Sequence, residues 1–305
     1  VDLKLYPLRF EFLAKEPVFF PPGKASNILR GAFGVIFRSI VCVPGCRSAS
    51  ECEIRRSCPY ARLFEPVSDG TGPSGLADPP RPFVFRARQL DGQTVRPGSP
   101  FHFDVNVFSL ETETLAYFVL TFAAIAREGV GSTRGKAELQ SVRMPGHTIY
   151  SASQQSITPP PAPLVLRLEP GPRAVRKIRV DFLTPTELKH GQKIAERPDF
   201  PILFGRIRDR ISTLRALYGG GPIEMDYAAS GLRASQIQMI ACRMRHLETG
   251  RRSTRTGQSH SIGGLVGEAE YEGDLAEFLP WLEAARYTGV GRQSVWGKGE
   301  IAVAF

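Results

Sequence analysis

D-L-A-E-F-L-P-W-L-E-A-A-R-Y-T-G-V-G-R-Q-S-V-W-G-K-G-E, residues Asp274 to Glu300, joins a helical apolar face to a glycine-rich loop and the start of a strand. Leu275, Phe278, Leu279 and Leu282 fall at i, i+3, i+4 and i+7, the spacing of one buried helix face. Asp274 with Glu277 three residues on predicts a capping pair at its start. Gly289 predicts its end, because glycine closes a helix in the left-handed region without steric cost. Glu300 to Phe305 alternates polar and apolar, as a terminal strand does.

The same unit occurs 160 residues earlier. Leu115, Phe118, Val119 and Phe122 stand for Leu275, Phe278, Leu279 and Leu282, Thr114 for Asp274, and Gly129-Val130-Gly131 for Gly289-Val290-Gly291. Gly135-Lys136 matches Gly297-Lys298 after a loop two residues shorter. Agreement of a face, a cap and a loop at one offset implies a duplicated domain.

Each copy predicts the order strand, helix, strand, strand, helix, strand, the split βαβ or ferredoxin-like (RRM-like) arrangement of the α+β class. In the first the elements are Leu3 to Lys15, Lys24 to Cys42, Pro82 to Leu90, Phe101 to Phe108, the helix from Thr114, and Lys136 to Met144. In the second they are Val175 to Thr184, Phe200 to Tyr218, Ile237 to His246, Gly264 to Tyr271, the helix of the opening stretch and the last strand. The predicted domains are 1–150, with a cysteine-rich insert at 42–66 and a flexible loop at 67–82, and 174–305, with the glycine-rich loop 289–299. A proline-rich segment within 151–173 predicts an extended linker between them.

A length of 305 residues suits two such domains, and 42% hydrophobic content can fill both cores. No apolar run approaches the roughly 20 residues that span a bilayer, so no membrane association is expected. The chain opens at Val1 with no charged, apolar leader, and the cytoplasm is the expected compartment. The net charge of +9 is shared, 18 basic against 14 acidic residues up to Tyr150 and 21 against 16 after it, so a polyanionic partner can touch both halves.

Four of five cysteines, Cys42, Cys46, Cys52 and Cys58, are spaced C-x3-C-x5-C-x5-C. Four thiolates make the closed shell of a structural Zn2+ site, which would stabilise an insert too small for its own core. The spacing also admits disulfides or unpaired thiols, an iron–sulfur cluster, or a lost site. It leaves no open position for a catalytic metal. Glu248 to Gly263 gathers Arg251, Arg252, Arg255 and His260 among hydroxyls and amides. Guanidinium forks grip phosphate oxygens, and histidine moves protons near neutral pH. Backbone N–H groups around Gly289 and Gly291, flanked by Arg292, Gln293 and Lys298, suit a phosphate cradle, although glycines that merely end a helix explain the same pattern. His246 ends a strand facing the arginine turn and is expected to be an ordinary surface histidine. No P-loop, dinucleotide fingerprint, nucleophile elbow or H-E-x-x-H motif is present.

Taken together, several stretches resemble the CRISPR-associated RAMP superfamily, in particular its precursor-crRNA processing endoribonucleases. They are G-x-x-x-x-x-L-R-G-A-F-G (Gly23 to Gly34), C-P-Y-A-R-L-F-E-P (Cys58 to Pro66), G-V-G-S-T-R-G-K (Gly129 to Lys136), L-T-P-T (Leu183 to Thr186), R-P-D-F-P-I-L-F-G-R-I-R-D-R-I (Arg197 to Ile211), R-x-S-T-R (Arg251 to Arg255), G-G-L-V-G-E (Gly263 to Glu268) and G-V-G-R-Q-S-V-W-G-K-G-E (Gly289 to Glu300). The four-cysteine insert resembles a subset of that family. The resemblance implies tandem ferredoxin-like domains that bind CRISPR repeat RNA and cut it without a catalytic cofactor. The ribose 2′-hydroxyl would attack the next phosphate, giving a 2′,3′-cyclic phosphate and a 5′-hydroxyl. It implies CRISPR repeat RNA and other CRISPR effector proteins as partners, and a monomer or homodimer; a non-catalytic crRNA-binding subunit is the alternative. Members often carry a catalytic histidine in or just after the first helix, yet none lies between Ala25 and Cys58. His260 is therefore the expected base, Arg252 and Arg255 the phosphate stabilisers, and Lys24 and Tyr60 further catalytic candidates. Arg30, Arg134, Lys136, Arg251, Gly289, Gly291, Arg292, Gln293 and Lys298 are the expected RNA contacts.

Overall fold

A computed structural model describes residues 1–43, 45–46, 48–49, 51–66, 79–172, 174–248, 250–252 and 259–305, giving the backbone alone at 112, 251–252 and 259–261. Two compact units emerge, Lys4–Leu164 and Val165–Phe305, the latter joined by Val1–Leu3. No helix among the described residues is long and apolar enough to cross a membrane.

The first unit runs β1 (Asp2–Ala14), β2 (Val18–Phe19), α1 (Ala25–Val41), α2 (Pro59–Leu63), β3 (Phe83–Arg86), β4 (Thr94–Val95), β5 (Pro100–Val107), α3 (Thr112–Glu128), β6 (Ala137–Met144), β7 (His147–Ser151) and β8 (Ser156–Ile157). After β9 (Leu164–Arg167) the second unit runs β10 (Lys177–Thr186), β11 (Lys189–His190), β12 (Lys193–Ile194), α4 (Phe200–Tyr218), α5 (Tyr227–Ala234), β13 (Gln238–Leu247), β14 (Gly250–Arg252), β15 (Ser259–Ser261), β16 (Gly264–Glu272), α6 (Leu279–Thr288) and β17 (Ile301–Ala304).

The first sheet is ordered β3-β5-β1-β6 and extended by β7 and β8; the second is β13-β16-β10-β17. Position for position these are the same antiparallel four strands, with the first strand of each copy between the third and the last. Two ferredoxin-like units thus follow one another, as the repeated stretch predicts. The segment 151–173, expected to be extended linker, carries strand pairing: Tyr150 faces Ile157 across the β7–β8 turn, and β9 pairs with β1. Gln155 in the left-handed region (φ 50) closes that turn.

The first core is a phenylalanine cluster. Phe33 of α1 stacks on Phe118 and Phe122 of α3 at centroid distances of 4.8 and 5.2 Å, and Phe122 packs on Phe10 of β1 at 4.6 Å. Such pairs add to stability beyond the area they bury. In the second unit Phe204 and Phe278 meet at 4.7 Å, and Phe200 lies edge-on to Tyr271. Burial pushes the Tyr271 phenol far above its ordinary value, so it stays neutral and donates to the Pro198 carbonyl at 2.6 Å.

Two helix starts differ from the predicted ones. α6 begins at Leu279 with Phe278 at its cap, five residues after Asp274, and Glu277 pairs with Arg233 at 2.7 Å. Pro280 explains the shift: without an N–H it suits the first turn, and further inside its ring would clash with the carbonyl four residues back. Leu275 and Phe278 are still buried, on the turn that leads in. In α3 the cap is Glu111, and Thr114 lies inside the helix. The loop at Asp91-Gly92 lets Asp91 accept from the Ala25 N–H at 2.9 Å, supplying the cap that Lys24 lacks.

Candidate RNA-cleavage site

The glycine-rich loop is held at both ends. Gly289 (φ 73) ends α6, and the carbonyl before it, that of buried Thr288, accepts from Arg210 Nε of α4 at 2.7 Å. Val290 donates to the Gly299 carbonyl at 2.8 Å. Gly291 (φ 72) lies so close to the segment after β10 that a Cβ there would overlap the Glu187 carbonyl oxygen. Arg292 then donates its backbone N–H to that carbonyl at 3.1 Å and its Nη1 to the Glu187 carboxylate at 2.7 Å. Glu187 is only 12% exposed while Arg292 is 57% exposed, so the acid anchors a cation that still faces solvent. Gln293 (φ 65) starts the 3-10 turn Ser294–Trp296, and Gly299 donates to the Pro185 carbonyl at 3.0 Å.

The first copy docks its loop the same way. Val130 donates to the Gly135 carbonyl at 2.8 Å, Gly131 (φ 75) abuts the Phe19 carbonyl, and Ser132 donates to that carbonyl at 2.8 Å. Phe19 and Ser132 thus stand where Glu187 and Arg292 stand, so the ion pair belongs to the second copy alone. Arg134 (φ 53) and Lys136 are exposed on the first loop.

The second loop shares its end of the sheet with the arginine hairpin. Thr186, the last residue of β10, pairs with Leu265, and a Cβ on Gly264 would stand 2.7 Å from the Thr186 backbone. Gly264 faces Leu247 and Leu265 faces His246 at the end of β13. Past them the ribbon continues as β14 and β15, where Arg251 faces His260 and Arg252 faces Ser259. Strand spacing of about 4.8 Å places the ends of β13 and β10 about 10 Å apart. His246 is half exposed, and its Nδ1 lies 3.1 Å from Glu248 Oε1. Sequence reasoning treats His246 as an ordinary surface residue and passes over Glu187; shifting by 168 residues, which brings Pro17 onto Pro185, is the signal that aligns Phe19 with Glu187.

The remaining expected site residues are placed as follows. Arg255 lies outside the described residues. Lys24 is exposed just before α1. Arg30 lies 4.2 Å over the Phe64 ring, a cation–π contact that covers part of the guanidinium. Tyr60 is 6% exposed, stacked on Phe64, with its hydroxyl 3.3 Å from Glu65, so it packs rather than faces solvent. Lys298 is 3% exposed: the loop closes over it, and it is not a surface cation like its counterpart Lys136.

The open sheet faces contrast with the loops. Lys177, Arg179 and Arg243 are interleaved with Asp181, Glu268 and Glu270 across β10, β13 and β16. In the first sheet Arg9 pairs with Asp104 at 2.8 Å, Arg143 with Glu11 at 3.1 Å and Lys15 with Glu138 at 2.8 Å. Lys177 and Arg243 together hold the Glu270 carboxyl below its usual range. These cations already have acidic partners, which leaves the loops as the better ground for a polyanion.

None of the five cysteines is in a disulfide. Cys42 caps the end of α1 and buried Cys58 the start of α2. The Cys42 thiol is pushed up to about 11 by burial and by the neighbouring Cys58 and Cys46. Among the described residues, no three ligating side chains stand in a metal-holding arrangement.

Residues 180–301 match the family model described as CRISPR-associated endoribonuclease Cas6, and residues 3–162 match the AF_1859_N model, an N-terminal domain. No curated protein matches the sequence significantly. Among solved structures, a Cas6 product complex is similar at a TM-score of 0.57 and 17% identity, covering 98% of this chain and 100% of that one. Thermus thermophilus Cas6 gives 0.54 and 16%, covering 100% and 99%, and a Cas6 substrate-mimic complex 0.52 and 17%, covering 99% and 100%. At such identity the likeness speaks for the fold, and the family models speak for kinship. The chain belongs to the CRISPR-associated RAMP family of precursor-crRNA processing endoribonucleases.

Proposed function

We propose that this endoribonuclease binds CRISPR repeat RNA along its cationic loops and cuts it by attack of a ribose 2′-hydroxyl on the adjacent phosphate. The 2′-oxygen forms its bond to phosphorus as the bond to the 5′-oxygen breaks, leaving a 2′,3′-cyclic phosphate and a 5′-hydroxyl. The observation that carries this reading is the convergence, at one end of the second sheet, of the glycine-rich loop with Arg292 and the hairpin that bears Arg251, Arg252 and His260. His260 takes the 2′-proton, and Arg252 and Arg255 stabilise the phosphorane, where charge accumulates. Lys24 and Arg134, both exposed, and Arg251 contribute phosphate contacts that set affinity rather than sequence preference.

No metal takes part in the chemistry. In the insert, Cys42, Cys46, Cys52 and Cys58 are the four thiols that would hold a structural Zn2+; among the described residues they do not stand in a metal-holding arrangement. The partners are repeat RNA and other CRISPR proteins; one of the structures similar in fold is a Cas6-RT-Cas1–Cas2 complex. The test of the assignment is His260→Ala, which slows cleavage of repeat RNA by about 10² or more without abolishing binding. Unchanged cleavage by that variant removes His260 from the role.

A further inference from the structure

The first strand of each copy leads into a turn, and the two turns have diverged in charge. The 168-residue shift that sets Phe19 on Glu187 also sets buried Phe20 on buried Leu188, and Gly23 (φ 68) on Gly191 (φ 60). In the first copy the turn is Pro21-Pro22-Gly23, and α1 begins two residues after the glycine. In the second it is Lys189-His190-Gly191, and the chain continues through Gln192-Lys193-Ile194 as the hairpin of β11 and β12 before α4 begins, nine residues after the glycine. Gly191 is the first of the two turn residues, where a tight hairpin of the primed type needs a positive φ. Nothing stands within 4 Å of the place a Cβ on Gly191 would take, so the tip projects into open space.

The base of this hairpin is strapped to the glycine-rich loop. Leu188 Cδ2 lies 3.4 Å from the place of a Cβ on Gly291, Glu187 holds Arg292 through both its carbonyl and its carboxylate, and Pro185 accepts from Gly299 at 3.0 Å. Ala195 donates to the Leu188 carbonyl at 2.8 Å and closes the ribbon. Lys189 follows Glu187 by two residues, about 7 Å of extended chain, so the cations of the hairpin start close to the residue that anchors Arg292. His190 faces Lys193 across the ribbon, which sets those two side chains next to each other on one face. Both are exposed, and Lys189 is half-buried. Among the described residues none of the three has an acidic partner, and Glu187, the acid at the base, is taken by Arg292. Like charges held this close repel one another, and an anion between them relieves the repulsion.

We propose that the hairpin 189–194 is a phosphate-binding arm of the second unit. Lys189 and Lys193, with His190 as a further N–H donor, hold the ribose-phosphate backbone of the repeat RNA next to the phosphate met by Arg292. Contacts of this kind fix the register of a strand and carry no sequence preference. The first copy, with Pro21 and Pro22 at the matching positions, has no counterpart.

This inference rests on the RNA-binding reading, and binding is separated from cleavage by using repeat RNA with a 2′-deoxy nucleotide at the cut. Kd is measured over a salt series for wild type, for Lys189→Ala with Lys193→Ala, and for Lys177→Ala with Arg179→Ala, which removes the same charge from the sheet. The hairpin double variant is expected to reduce the slope of log Kd against log salt by about 2, and the sheet double variant to leave it unchanged. Neutral methylphosphonates placed one at a time along the RNA then locate the phosphates concerned: at those positions they weaken wild type and cost the hairpin variant nothing further. An unchanged slope for the hairpin variant, or an equal fall for both double variants, would overturn the arm while the RNA-binding reading stands. Methylphosphonate losses of equal size in wild type and hairpin variant at every position would overturn it as well. Wild-type protein that binds no repeat RNA would sink both.

Discussion

A methyl group at position 291 has no room. The backbone there has φ 72, and the added carbon would overlap the Glu187 carbonyl oxygen. Gly291→Ala is expected to cost on the order of 2–3 kcal/mol through strain and clash together, read as a lower urea midpoint at unchanged slope. Gly205 is the opposite case: it lies within α4, and nothing stands within 4 Å of the place a methyl would take. Gly205→Ala is expected to gain up to about 1 kcal/mol, since alanine is the better helix former. The two substitutions are the same in chemistry and differ only in backbone and neighbours. That difference is half legible in the sequence: the G-V-G repeat marks Gly289 and Gly291 as special. It does not tell that the partner is the backbone of Glu187, more than a hundred residues away. Lys298 shows the same limit. Its position beside two glycines reads as a phosphate contact, and only the folded loop reveals it as buried.

Among the helices and strands, apolar spacing locates most to within a few residues. α4 spans Phe200–Tyr218 as expected, because its face of Phe200, Leu203, Phe204, Ile207 and Ile211 keeps a helical period. Caps are less legible, because they are set by tertiary contact and by proline. α1 takes its cap from Asp91, which is 66 residues away. Asp91→Ala is expected to lower stability by about 1 kcal/mol, measured by urea denaturation. The cysteine insert supplies a second test of an element. If Zn2+ joins the thiols of Cys42, Cys46, Cys52 and Cys58, purified protein holds one zinc per chain by metal analysis. A strong chelator then lowers Tm while Cys242→Ser leaves the zinc content unchanged. Protein without zinc and with Tm indifferent to chelator contradicts the site.

For the molecule as a whole, the duplication is the most legible feature, since one helix-loop-strand unit repeats at a fixed offset and both sheets fold in the same strand order. The copies have diverged where the scaffold does not constrain them. The first placed its insertion after its helix, at the cysteines; the second placed its own between the middle strands, as the arginine hairpin. What the sequence leaves open is which charges remain available. Of 39 lysines and arginines, Arg9, Lys15, Arg143, Lys177, Arg179 and Arg243 on the sheets are matched by acids, and only the structure separates them from the exposed Arg134 and Lys136 of the first loop and from Arg292, which keeps its face to solvent while paired with Glu187. A phosphate-led interface of this kind predicts that log Kd for repeat RNA rises linearly with log salt. Arg292→Ala should reduce that slope by about 1, because one phosphate contact is lost.

On the proposed mechanism the RNA's own 2′-hydroxyl makes the cut, under the control of protein side chains. The decisive experiment incubates the protein in EDTA with repeat RNA, either intact or carrying a single 2′-deoxy nucleotide at the cut. Intact RNA should be cut once per repeat, with a 2′,3′-cyclic phosphate and a 5′-hydroxyl at the new ends, and the deoxy position should stay whole. A requirement for added divalent metal, or cleavage at the deoxy position, would refute this mechanism.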